Sequence, residues 1–172
     1  MDTAKETEKI AGKNRTTVER TSDRELVTKR TINGPARLVF DAWTKPELFG
    51  KWWLPASHGL LLMSCDMDAR TGGGYKLVIR HGEREPMAFF GKYLEVTPHS
   101  RIVWTNDEGD EPGAISTVTL EEKGGKTLQI MHEIFPSKAA LDAAMSSGEK
   151  DCVNETFDQL DEILATGAVR PS

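Results

Sequence analysis

Nothing in this 172-residue chain approaches the run of ~18–20 apolar residues that a membrane-crossing helix needs. Its first twenty residues, MDTAKETEKIAGKNRTTVER, lack the apolar centre of a signal peptide and the composition of a transit peptide. We therefore expect a cytoplasmic protein with no membrane span. Cysteine is scarce as well. Cys65 and Cys152 lie far apart and in no metal-type spacing, so they read as two reduced thiols. The sequons at Asn14 and Asn154 then carry no weight. There is no excess of basic residues: the net charge of −5 argues against a nucleic-acid partner, which would need a basic stripe.

The signatures of catalysis and metal binding are also missing. His58, His81, His99 and His132 include no pair at i, i+4 or H-x-H spacing, so no metal is expected. No G-x-S-x-G is present, and neither cysteine sits in a recognisable nucleophile context. Gly72-Gly73-Gly74 lacks the lysine and hydroxyl residue of a phosphate loop. Asp66 and Asp68 are close enough for paired-carboxylate chemistry, but their place at a strand end assigns Asp68, with Arg70, to organising a turn. No catalytic residue and no cofactor are expected.

What the chain does have is aromatic residues, concentrated in Gly34 to Pro55 (GPARLVFDAWTKPELFGKWWLP). These 22 residues hold three of the four tryptophans and two of the six phenylalanines. Pro35 suits a helix start, where its missing N–H costs nothing. Leu38/Val39, Phe40 and Trp43 then recur at helical spacing. Pro46 breaks the pattern through its effect on Lys45, and a second short helix presents Leu48, Phe49, Trp52 and Trp53 before Pro55 ends it.

The remaining elements follow in order. Residues 1–22 are polar and aperiodic and read as a disordered tail. Glu25 to Ile32 alternates, with Leu26, Thr28, Arg30 and Ile32 on one side. After the aromatic stretch come six strands joined by short turns: Leu60–Met67, Tyr75–Arg80, Met87–Val96, Arg101–Thr105, Ala114–Glu121 and Thr127–Ile134. Gly91, inside the third of them, marks a bulge or a bend. Ser137 is placed to cap a helix over KAALDAAM, which Ser146-Ser147-Gly148 interrupts. The closing helix, Glu149 to Ala165, carries Val153, Thr156/Phe157, Leu160 and Ile163/Leu164 on one stripe. Asp151, Glu155, Asp158, Asp161 and Glu162 are expected to face solvent. A curved antiparallel sheet with one apolar face needs a cover, and only the last helix is long enough.

Several segments carry a resemblance. They are ELVTKRTINGPARLVFDAWTKPELFGKWWLP, the D-x-R-x-G-G turn from Asp68 to Gly73, F-x-G-x-Y-L-E-V from Phe89 to Val96 and Pro98. R-I-V-W-T from Arg101, T-L-Q-I-M-H from Thr127 and the closing D-Q-L-D-E-I-L complete the set. Together they resemble the START-like (SRPBCC, helix-grip) superfamily, in its branch related to the C-terminal domain of the activator of the heat-shock-protein-90 ATPase. The resemblance implies an α+β helix-grip domain over residues 23–166, with a C-terminal tail at 167–172. Its sheet would have six to seven antiparallel strands wrapped around a long C-terminal helix, with two short helices after the first strand. It also implies a deep, largely apolar cavity between sheet and helix.

On that basis the candidate lining is Trp52, Trp53, Met63, Tyr75, Met87, Phe89, Trp104, Met131, Val153, Phe157 and Leu160. His132 and Glu133 are adjacent on a strand and must point to opposite faces, so whichever faces inward is the polar anchor. Trp43 is assigned to packing, and Trp52 and Trp53 to the pocket entrance. The leading function is non-catalytic binding of a small hydrophobic molecule. The alternatives are a co-chaperone-like module acting on a heat-shock ATPase and a cyclase-like or hydrolase-like enzyme on a polyketide or aromatic substrate. In that last reading His132, Glu133 or Tyr75 would take part. Assembly as a homodimer stays open.

Overall fold

The computed structural model describes residues 16–107, 113–146 and 149–165, with the side chains of 149–152 outside that description. Eight strands form one antiparallel sheet: β1 (Thr17–Arg20), β2 (Glu25–Ile32), β3 (Leu60–Met67), β4 (Gly74–His81), β5 (Met87–Thr97), β6 (Arg101–Thr105), β7 (Ile115–Lys123) and β8 (Lys126–Ile134). Their spatial order is β1-β2-β8-β7-β6-β5-β4-β3, a meander from β3 to β8 extended by the N-terminal hairpin. Among the described residues four α-helices, α1 (Ala36–Thr44), α2 (Pro46–Trp52), α3 (Lys138–Ser146) and α4 (Glu149–Ala165), and a short 3-10 turn at Ala56–His58 accompany the sheet. This is the expected helix-grip arrangement, α+β, with α4 laid over the inward face of an open, curved sheet.

The eighth strand corrects the expected count of six to seven, and it corrects the reading of residues 17–22 as disordered. Residues 1–15, the rest of that tail, lie outside the described residues, as does the proposed C-terminal tail at 167–172. β1 pairs along β2 from Thr17↔Lys29 to Arg20↔Leu26. Its sequence, TVER, offers one apolar residue, so periodicity is silent there. Pairing rests on backbone bonds to β2 and on the Arg20 guanidinium, which reaches Asp142 Oδ1 of α3 at 2.7 Å.

Alternation places the sheet's two faces as read from sequence. On β2 the residues Leu26, Thr28, Arg30 and Ile32 are all buried. Arg30 on that inward face requires partners, since a buried cation without them is costly. It finds Asp158 Oδ1 at 2.7 Å and Asp161 Oδ2 at 2.6 Å, both on α4. Asp161 Oδ1 also accepts from the backbone N–H of Asn33 at 2.8 Å. These two aspartates therefore turn inward to clamp α4 onto β2, against the expectation that they face solvent.

Gly91 sits where β5 changes partners. Gly74↔Lys92 to Ile79↔Met87 pair it with β4, and Tyr93↔Trp104 to Thr97↔Arg101 pair it with β6. A Cβ on Gly91 would lie 2.1 Å from Thr105 O and 2.9 Å from the Tyr75 hydroxyl. The bend thus needs a residue without a side chain. At the β3–β4 turn, both Asp68 carboxylate oxygens accept from Arg70 Nε, at 3.0 and 2.9 Å, as the turn reading requires. A Cβ on Gly73 would sit 2.0 Å from Asp68 O, so the turn closes only over glycine. Ser137 caps α3 as expected, its Oγ accepting from Ala140 N at 3.0 Å.

Candidate functional site

The aromatic residues of α1 and α2 form one packed array. Trp43 meets Trp52 at a centroid distance of 4.8 Å and Trp104 of β6 at 5.6 Å, and Phe49 stacks on Trp53 at 5.4 Å. Phe157 of α4 closes against Trp43 at 6.5 Å and Trp52 at 6.0 Å. Such offset and edge contacts are the favoured aromatic geometries. The array is also oriented by hydrogen bonds: Trp43 Nε1 donates to Gln129 Oε1 at 2.8 Å, and Trp52 Nε1 to the carbonyl of Ala42 at 2.9 Å.

Beside this array lies a cavity of about 680 Å³, walled by the inward face of the sheet, α3, α4 and the segment after α2. That size falls within the ~300–1,000 Å³ of small-molecule sites. All four tryptophans border it. The segment that follows α2 is held by α4. Gln159 Nε2 donates to the carbonyls of Trp52 (2.9 Å) and Leu54 (2.8 Å), and Gln159 Oε1 accepts from Ala56 N at 2.8 Å. Glu155 accepts from Ser57 N at 2.9 Å and from Ser57 Oγ at 2.6 Å. The Ser57 bonds hold the Glu155 carboxyl below the usual glutamate range. Glu155 lies on the solvent side of α4, as expected, and from there fastens one wall of the cavity.

Of the candidate residues, Trp52, Trp53, Tyr75, Phe89, Trp104, Met131, Glu133, Val153 and Phe157 border the cavity. Four others do not. Met63 is the extra residue of a bulge between Leu62↔Ile79 and Ser64↔Val78. A bulge shifts the alternation by one, so the half-buried set passes from Leu60 and Leu62 to Cys65 and Met67 and leaves Met63 exposed. Met87 is opposite Ile79, on the same face as Phe89, but it stands at the strand's start and is exposed. Leu160 is fully buried in the core under α4. His132 faces outward, with its Nε2 2.8 Å from Glu25 Oε1. That bond, with a second from Ser22, lowers the Glu25 carboxyl from its ordinary value. Glu133 is consequently the inward member of the pair.

Two assignments within the aromatic stretch also change. Trp43, given to packing, both packs and borders the cavity, whereas Trp52, given to the entrance, is 1% exposed. Residues that sequence reasoning left out include Met67, Leu77, Tyr93, Ser116 and Asn106, together with Ala140 and Ala144 of α3. Parity with Tyr75 marks Leu77 and parity with Phe89 marks Tyr93, so alternation alone could have found both. Ala140 and Ala144, four apart, share one helix face. Ser116 needs the register Ser116↔Glu133, which no local pattern reveals.

Tyr75, Asn106, Ser116 and Glu133 form a polar chain on this mostly apolar wall, which Thr28, His58 and Thr156 also border. Tyr75 Oη donates to Thr105 O at 2.6 Å and lies 3.4 Å from Asn106 Oδ1. Asn106 Nδ2 donates to Ala114 O (2.7 Å) and to Ser116 Oγ (3.3 Å), and Ser116 Oγ donates to Glu133 Oε2 at 3.5 Å. Burial pushes the Tyr93 phenol well above its usual range. Burial likewise pushes the Cys65 thiol up to about 11, with Asp66 and Glu47 adding to it, which keeps it a thiol rather than a nucleophilic thiolate. Among the described residues, no group of three metal-ligating side chains converges, and no helix is long and apolar enough to cross a membrane.

Comparison with known proteins agrees with this geometry. A solved protein of Rhodobacter sphaeroides superposes with a TM-score of 0.81 at 20% identity, covering 88% of this chain and 99% of its own. One from Chromobacterium violaceum gives 0.69 at 28% identity, over 86% of this chain and 99% of its own. The AHSA1-like protein from Aeromonas hydrophila gives 0.68 at 15% identity, over 86% and 97% respectively. No protein with curated function matches the sequence. The family described as Activator of Hsp90 ATPase homolog 1-like protein matches residues 33–165, from the end of β2 to the end of α4, and the chain belongs to that family.

Proposed function

We propose that this protein binds a small, largely apolar molecule in the cavity between its sheet and α4, as a cytoplasmic carrier or sensor rather than as a catalyst. The observation that carries this reading is a half-open hollow of about 680 Å³ between the sheet and the helices, bordered by every tryptophan of the chain. A concave, largely apolar space of this size with a few polar groups on its wall is the form that small-molecule sites take. Candidate contacts are Trp53, Tyr75, Phe89, Trp104, Met131, Val153 and Phe157, with Glu133 as the polar anchor. Methionines such as Met67 and Met131 can adapt to ligands of differing shape.

Native mass spectrometry of protein purified from the cells that make it, followed by solvent extraction, tests the reading. One small molecule per chain, released by organic solvent, is the expected result. Bare protein in every preparation counts against it. The family description favours a second reading, an interaction with a heat-shock ATPase. Stimulation of the host chaperone's ATP hydrolysis would support that one, and no effect at excess would dismiss it.

A further inference from the structure

Donors on the cavity wall divide into those already answered and those still open. Tyr75 Oη donates to Thr105 O at 2.6 Å, and Thr156 Oγ1 donates to Val153 O at 3.1 Å. The Trp43 and Trp52 indoles are spent on Gln129 Oε1 and Ala42 O, at 2.8 and 2.9 Å. Tyr93 of β5 and Trp104 of β6 differ. Both border the cavity, and neither the Tyr93 hydroxyl nor the Trp104 indole nitrogen has a hydrogen-bond partner among the described residues. Buried Tyr O–H and Trp N–H groups usually find one.

The two residues are also neighbours. Tyr93 faces Trp104 in the β5–β6 register, so their side chains leave the same face of the sheet from β-carbons about 4.5–5.5 Å apart. Tyr93 is 6% exposed. Among the described residues, however, the unpaired side-chain polar atoms sealed from all solvent belong to Arg30, Arg80 and Gln129. The phenol and the indole thus keep an open side, and the cavity is the open space that both border. Burial holds the Tyr93 phenol protonated, so it stays a donor. Thr28 and Trp53 also keep open donors, on β2 and after α2 rather than on this pair of strands.

A ligand that fills the cavity displaces the water that would serve these groups. Apolar surface laid over them leaves buried donors unanswered, which is costly. A purely donating group such as an ammonium cannot answer them, whereas a carbonyl oxygen has two lone pairs to offer. Resting on the proposed ligand binding, we propose that the cavity recognises an apolar molecule that carries a neutral acceptor oxygen, as in a ketone, ester or ether, seated at Tyr93 and Trp104.

Titration with 2-acetonaphthone and 2-ethylnaphthalene, which differ only in the carbonyl, tests it. In Tyr93→Phe the ketone should lose about ten-fold in affinity, while hydrocarbon binding stays within about two-fold and reports a folded cavity. Trp104→Phe should likewise weaken the ketone more than the hydrocarbon. Equal losses of the two probes in either variant would overturn this inference alone, as would ketone affinity unchanged in Tyr93→Phe or binding of the hydrocarbon without the ketone. The wild-type protein decides the matter even if the variants fail to fold. The carbonyl stretch of bound 2-acetonaphthone should lie at lower wavenumber than in hexane, as a hydrogen-bonded ketone requires, and an unshifted band would overturn the inference. Failure of both probes to bind would overturn this inference and the ligand-binding reading beneath it.

Discussion

Phe157 and Leu160, neighbours on one face of α4, should respond to truncation in the reverse of the usual order. In a filled core, Phe→Ala costs about 3–5 kcal/mol and Leu→Ala about 2–5, because each leaves a new hole in addition to losing its own burial. Here Phe157 packs one side of its ring on Trp43 and Trp52, while the other borders the existing hollow of about 680 Å³. Truncation there widens a space already present, so the cavity term largely drops out and a loss of about 2–3 kcal/mol remains. Leu160 is 0% exposed and does not border the hollow. Leu160→Ala opens a fresh void and should cost about 3–4 kcal/mol. Urea unfolding followed by tryptophan fluorescence measures both, as shifts in midpoint at unchanged m-value. A loss near 5 kcal/mol for Phe157→Ala, exceeding that of Leu160→Ala, would mean that the ring is packed on every side, and the placement of the cavity would be refuted.

The Arg30 clamp predicts a second ordering. Asp161→Ala leaves a guanidinium 1% exposed with Asp158 as its carboxylate partner, beside the neutral Thr16 and Asn154, and should cost about 2–3 kcal/mol, whereas Arg30→Met frees aspartates that can reach water and should cost about 1 kcal/mol. Chemical denaturation with the larger loss in Arg30→Met would contradict the clamp. A third prediction concerns pH. Because the folded-state pKa of Glu155 is lowered, its hold on Ser57 is complete above the ordinary glutamate range and is lost as pH falls through the lowered value. The protection of the Ser57 amide against exchange, relative to its intrinsic rate at each pH, should therefore fall as pH drops below the ordinary glutamate range, and fall further than in a Glu155→Gln variant. Identical pH profiles in the two proteins would remove Glu155 from that role.

Much of the fold could be read from residues because the signals are local. Alternation on β2 placed Arg30 beside Leu26 and Ile32, and Pro46 separated two helices that a continuous pattern would have merged. The losses arose where structure depends on partners distant in sequence. β1 has almost no apolar content and is held by its neighbour strand and by Arg20–Asp142. Asp158 and Asp161 satisfy every rule for an exposed helix face, and a buried arginine 128 and 131 residues earlier turns them inward. The bulge at Met63 changes which residues face the cavity while leaving composition and periodicity unmarked. For the site, the aromatic residues of 34–55 announced themselves, but that Trp43 borders the hollow as well as Trp52 is decided by packing against Phe157 and Trp104. The Asn106–Ser116–Glu133 chain joins three elements and has no signature in any one of them.

Whether the hollow takes a ligand is measured by titration with the neutral fluorescent probe N-phenyl-1-naphthylamine. The four tryptophans around the cavity make the protein its own reporter. Saturable binding of one probe per chain is expected, with tryptophan emission quenched in parallel, and loss of both in Ala140→Trp, which places an indole into the space from α3. Unsaturable binding, or binding and quenching unchanged in Ala140→Trp, would contradict ligand binding in the hollow.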